Sequence, residues 1–93
     1  IPSFTIEHIL PDSQNRENAI IGNLMPLEEN LNGLCGDKSL NEKIQIYDRS
    51  SFMTARNLAN RYRVDAENFK VETRTKIMAE ELYNEVDRIV NAI

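Results

Sequence analysis

The sequence predicts a small α+β domain, an N-terminal β-hairpin followed by three or four packed helices, and three observations carry that prediction. Residues 4–10 alternate with a period of two. A second apolar segment at 19–27 is punctuated by Gly22 and Pro26, and from Ser39 onward apolar residues recur at helical spacing behind a capping box. Ninety-three residues fit one domain with a single modest core. The chain starts at Ile1 without a methionine and the alternation begins almost at once, so 1–93 reads as a single domain cut from a longer protein.

The first strand sets Phe4, Ile6, His8 and Leu10 against Thr5, Glu7 and Ile9, and Pro11-Asp12-Ser13 stops it with turn residues. A polar loop follows from Asp12 to Asn18, of the surface kind that can carry function. Ala19 to Leu27 reads as a short edge strand after a glycine turn, because Pro26 lacks a ladder donor. Glu28 to Leu34 makes one or two helical turns, ending at Gly36-Asp37. Ser39-Leu40-Asn41-Glu42 matches a capping box, serine three residues before glutamate, and opens a helix to about Asp48 with Leu40, Ile44 and Tyr47 inside. Ser50 or Ser51 is expected to cap the next helix, in which Phe52, Ala55, Leu58, Ala59 and Tyr62 share a face. Asp65 is the expected cap of the last one, with Phe69, Ile77, Leu82, Val86, Ile89 and Val90 as its apolar face.

Composition narrows the function classes. No apolar run approaches the roughly 18 residues of a membrane span and no signal-peptide pattern is present, so the expected location is cytoplasmic and no membrane partner is expected. One cysteine, Cys35, leaves no internal disulfide, and with a single histidine the usual structural zinc sets are out of reach. Cys35 is expected to be a small buried filler. A net charge of −4 argues against indiscriminate coating of nucleic acid, which needs many phosphate contacts.

The only histidine, His8, stands beside Glu7 inside an apolar run, an odd choice for packing alone. On a regular strand the two side chains point to opposite faces, so a joint site requires the strand to end or bulge at His8. Asn23 reads equally as a turn residue after Gly22, and Asn32 as a cap before Gly33. Together, however, Ile6-Glu7-His8-Ile9-Leu10-Pro11, Ile21-Gly22-Asn23-Leu24, Leu31-Asn32 and Leu40-Asn41-Glu42-Lys43 form a spaced pattern. It resembles the HNH endonuclease motif, also called the His-Me finger or ββα-metal motif, and more narrowly the C-terminal domain of GmrSD-type restriction endonucleases. The resemblance continues through Tyr47 and Ser50, and weakly through Arg74, although the last helix lacks the expected tryptophan.

The resemblance implies a hairpin of ββα-metal type and a metal-dependent endonuclease that hydrolyses DNA phosphodiester bonds to restrict foreign or modified DNA, a phage-defence activity. His8 would be the general base, a task that suits an imidazole's ordinary pKa of about 6.5. Glu7 and Asn32 would be oxygen ligands to one divalent ion, Mg²⁺ or Mn²⁺. Asn23, counted with the catalytic residues, would bond across the loop and aim the His8 ring. Lys43 and Arg49 would meet DNA phosphates, although a lysine on a solvated helix face is an equally good reading of Lys43. The implied partners are DNA and a preceding ParB/sulfiredoxin-like domain of the same chain. Lys43, Arg49, Arg56, Arg61 and Arg63 share a window whose only acid is Asp48; they either track a nucleic-acid backbone or pair with Glu80, Glu81, Glu85 and Asp87. The competing function is a catalytically inactive nucleic-acid-binding or protein-interaction module on the same fold. A plain helical scaffold would leave the Glu7-His8 pair unexplained.

Overall fold

The computed structural model describes residues 3–11 and 20–92. The expected surface loop from Asp12 to Asn18 lies outside the described residues. In order come β1 (Thr5–His8), a 3-10 turn (Ile21–Asn23), β2 (Leu24–Leu27), α1 (Glu29–Cys35), α2 (Leu40–Tyr47), α3 (Met53–Tyr62), a second 3-10 turn (Ala66–Asn68) and α4 (Val71–Asn91). The architecture is therefore the α+β hairpin followed by helices that the sequence predicts, with four α-helices among the described residues.

β1 and β2 pair antiparallel with Thr5 opposite Leu27, Ile6 opposite Pro26, Glu7 opposite Met25 and His8 opposite Leu24. Residues directly opposite share a face, so Glu7, Met25 and Leu27 point into the domain while Ile6 and His8 point away. The more apolar set of the first strand is thus the outer one, and Ile6 is 51% exposed. Met25 and Leu27 supply the apolar surface on the inner face, and Glu7 is admitted there because the helices bring it polar partners.

Beneath the hairpin the core is built from Ile9, Leu31, Cys35, Leu40, Ile44, Tyr47, Ala55, Leu58, Ala59 and Phe69 among others. α1 ends at Gly36, whose φ of 47° is the left-handed region that suits glycine. α2 starts as predicted: Ser39 Oγ accepts from the Glu42 amide and the Glu42 carboxylate accepts from the Ser39 amide. Its expected inner residues are all buried, and Lys43 is buried with them.

Neither Ser50 nor Ser51 caps α3. Their hydroxyls and the Ser51 amide donate to the Glu28 carboxylate at 2.6 to 3.1 Å, while Phe52 stands at the N-cap with its amide bonded to Ser50 Oγ. The ionised Glu28 carboxylate, just ahead of α1, is a strong acceptor for those donors. Burial alone would raise the Glu28 pKa, yet the bonds from Ser50 and Ser51 hold it at about 2, against an ordinary 4.5. Asp65 likewise caps no helix. It precedes the second 3-10 turn, and α4 begins at Val71 without a side-chain cap.

α4 also departs from expectation along its length. Val71 is its one buried residue, and Leu82, Val86, Ile89 and Val90 are all exposed, Leu82 by 66%. The helix touches the domain by its first turns, at the 3-10 turn before β2, and runs on beyond it. Two devices make that contact. Arg74 donates to the carbonyls of Gly22 and Leu24, both at 2.9 Å. Gly22 lies so close to α4 that a Cβ there would sit 2.0 Å from Thr75 Oγ1 and 2.3 Å from the Val71 carbonyl.

Two outcomes follow for stability. Gly22→Ala has to push α4 off the hairpin, because the Val71 carbonyl and the Thr75 amide nitrogen that it meets are backbone, and should destabilise the domain by about 3 kcal/mol in denaturant titration. Glu28 has its folded-state pKa depressed, so its contribution is complete above about 4.5 and is lost as pH falls from there toward about 2. Thermal melts of Glu28→Gln should lie below wild type at neutral pH and converge on it across that acidic window.

Candidate active site

The carbonyl of the last strand residue and the two residues after it hold the geometric core of the site. After β1 stops at His8, the Ile9 amide donates to the Asn23 carbonyl at 2.9 Å. The Leu10 amide donates to Asn23 Oδ1 at 2.8 Å, and Asn23 Nδ2 donates back to the Leu10 carbonyl at 2.7 Å. From the other side Lys43 Nζ donates to the His8 carbonyl at 2.7 Å and the Ile9 carbonyl at 3.2 Å. Every backbone polar group from the His8 carbonyl to the Leu10 carbonyl is therefore held, four of them by just two side chains. Asn23 and Lys43 are fully buried, whereas the His8 side chain stands half-exposed on the outer face of the hairpin. Asn23 itself is fixed by its amide on the Ile20 carbonyl and by Arg74, which grips the residue on each side of it.

Glu7 and Lys43 lie where the resemblance does not put them. Glu7 is 2% exposed, and its Oε2 accepts the Tyr47 hydroxyl at 2.6 Å and the Lys43 ammonium at 3.1 Å. Burial, then the Glu7 charge, push the Tyr47 hydroxyl pKa up; the same two causes push the Cys35 thiol to about 12. The Tyr47 hydroxyl is thereby kept as a neutral donor toward the carboxylate. Lys43 is no phosphate contact: its ammonium is wholly buried and its three donors have three acceptors.

β1 keeps regular pairing through His8, so the Glu7 carboxylate lies inside the domain and the imidazole outside it. Asn32 is not a helix cap. It sits within α1, and its Nδ2 donates to Thr5 Oγ1 at 2.8 Å and the Ile6 carbonyl at 3.2 Å, tying α1 to the start of β1. The Glu7 side chain as arranged does not fit a divalent ion shared with Asn32, because it is 2% exposed and its Oε2 is already met by the Tyr47 hydroxyl and the Lys43 ammonium, whereas Asn32 commits only its Nδ2 to the strand. Among the described residues no group of three or more His, Cys, Asp or Glu side chains could hold a metal.

Of the basic window, Arg63 pairs with Asp48 at 2.8 Å, Arg56 donates to the Ser50 carbonyl and Arg61 lies over the Tyr62 ring. Arg49 is exposed at the end of α2. Among the described residues none of the five forms an ion pair with the acids of α4; Glu85 instead pairs with Arg88 on the same helix.

Two residues outside the expected site turn out to shape it. Tyr47 reads from sequence as packing, and Arg74 carries only a weak signal. The legible clue was spacing: Leu40, Lys43, Ile44 and Tyr47 fall on one helix face, and a lysine among core positions needs a buried partner.

Comparison with known proteins identifies the family. No curated protein and no solved structure matches the chain. A family model, that of the C-terminal domain of GmrSD restriction endonucleases, matches residues 1–81, which spans the hairpin, the Asn23 loop, the Glu7-Lys43-Tyr47 core and the first half of α4. The chain belongs to this family of restriction endonuclease C-terminal domains.

Proposed function

We propose that the domain hydrolyses DNA phosphodiester bonds with His8 as the general base, within a restriction activity directed at foreign or modified DNA. The observation that carries this reading is the contrast at the end of β1: the backbone after His8 is held by bonds from Asn23 and Lys43, while the His8 side chain lies half-exposed on the outer face of the hairpin. A base that removes a proton from an attacking water needs a fixed root and an open face. Asn23 supplies part of that root by holding both the amide and the carbonyl of Leu10. Arg49, exposed at the end of α2, is the residue of the proposed pair that remains accessible to a DNA phosphate.

A divalent ion would polarise the phosphate and stabilise the leaving oxygen. Glu7, buried and paired in the core, does not offer that ion a seat together with Asn32, so the two are not assigned to hold it. That same internal saturation of Glu7 favours the second reading, a catalytically inactive module that binds nucleic acid or another protein on the same fold.

Plasmid cleavage by the intact protein separates the two. Wild type should cut in the presence of Mg²⁺ or Mn²⁺ and stop on chelation, and His8→Ala should lower the rate by roughly 10²- to 10⁴-fold. Undiminished cutting by His8→Ala removes the imidazole from the reaction. Retarded DNA migration without any cutting by wild type would establish the inactive module instead.

A further inference from the structure

We propose that Glu7, Lys43 and Tyr47 are a positioning unit that ends β1 at His8 and aims the imidazole, and that Glu7 serves this unit in place of binding metal. The inference rests on His8 acting as the base. Its starting point is the direction of two carbonyls. In a regular strand successive carbonyls point to opposite edges, so the His8 and Ile9 carbonyls can meet one ammonium only if the backbone leaves the extended path between them. Lys43 Nζ bonds both, at 2.7 and 3.2 Å, and so fixes the bend that stops the strand one residue after Glu7.

An ammonium at zero exposure needs a counter-charge, and the Glu7 carboxylate at 3.1 Å provides it. The carboxylate in turn is oriented by the Tyr47 hydroxyl at 2.6 Å. A buried pair of this kind adds little net stability over apolar side chains of the same volume. What an apolar replacement cannot do is gather two consecutive carbonyls at one point. The unit therefore explains why the acid precedes the histidine: strand alternation sends residue 7 inward to hold Lys43, and residue 8 outward with its own carbonyl held by the same lysine.

The test compares the intact wild-type protein with the double variant Glu7→Leu/Lys43→Met and with Tyr47→Phe, reading melting temperature, kcat, KM, the Mg²⁺ requirement and the NMR signals of the His8 ring. The double variant removes both buried charges together, so it should keep a wild-type-like melting temperature. Its kcat should fall about 100-fold with KM within twofold, as a base displaced by about an ångström would, and the His8 ring signals should shift. Tyr47→Phe keeps the ion pair and should lower kcat several-fold without changing the Mg²⁺ requirement; if the double variant does not fold, this variant alone decides. Wild-type kcat in a folded variant overturns the unit as a positioning device. A rise of tenfold or more in the Mg²⁺ needed for half-maximal cutting by the double variant overturns it in favour of Glu7 as a metal ligand. Should His8→Ala cut normally, the reading of His8 fails on its own, and unshifted His8 ring signals in the variants would separately sink the positioning unit.

Discussion

The buried Glu7–Lys43 ion pair is the constraint on which the rest of this small domain depends. It joins the hairpin to α2 through charge, it occupies the centre of the core with polar atoms, and it can exist only because every one of those atoms has a partner. Tyr47 completes the carboxylate, two backbone carbonyls complete the ammonium, and no buried side-chain polar atom among the described residues is left unsatisfied. Removing one charge would strand the other in a low-dielectric interior, which typically costs about 3–5 kcal/mol. In a chain this short, that is a large share of any plausible stability.

Around that pair the structure is arranged in successive contacts. Asn23 closes the bend after β1 from the side opposite Lys43. Gly22, by lacking a side chain, lets α4 approach the turn that carries Asn23, and Arg74 binds the carbonyls on both sides of it. Burial holds the Arg74 pKa below its ordinary range, yet its guanidinium, paired with two carbonyls and no acid, remains a cation in practice because that ordinary value is so high. Glu28 does comparable work at the other end of the hairpin, where its carboxylate gathers the Ser50 and Ser51 donors of the α2–α3 connection. Short elements are thus held by side chains that bond to backbone, a common solution where the apolar core is modest.

The exposed face of α4 follows a different logic. Its apolar residues recur at helical spacing, which is all that a sequence pattern can report. Whether such a stripe is covered depends on what lies opposite it, and in this chain the hairpin and α1–α3 complete their own core without it.

Local rules were enough to read the class of the fold, the hairpin, the capping box at Ser39 and the burial of Cys35, because each depends on neighbours within a few residues. The Glu7-His8-Ile9 and Gly22-Asn23-Leu24 strings also carried the resemblance to the family that the family model matches, since a motif is a property of the chain itself. The sequence could not decide the inner face of β1: apolar counting favours Phe4 and Ile6, while the tertiary structure turns Glu7 inward because Lys43 and Tyr47, far along the chain on α2, satisfy it there. Nor could it decide the partners of Ser50, Ser51, Asp65 and Asn32, whose short polar side chains accept or donate wherever the fold brings the stronger group. Strand alternation by itself determined that Glu7 and His8 would part company. Only long-range packing decided which of them would meet the core and which the solvent, because the desolvation of a carboxylate is tolerated only where another element delivers its counter-charge.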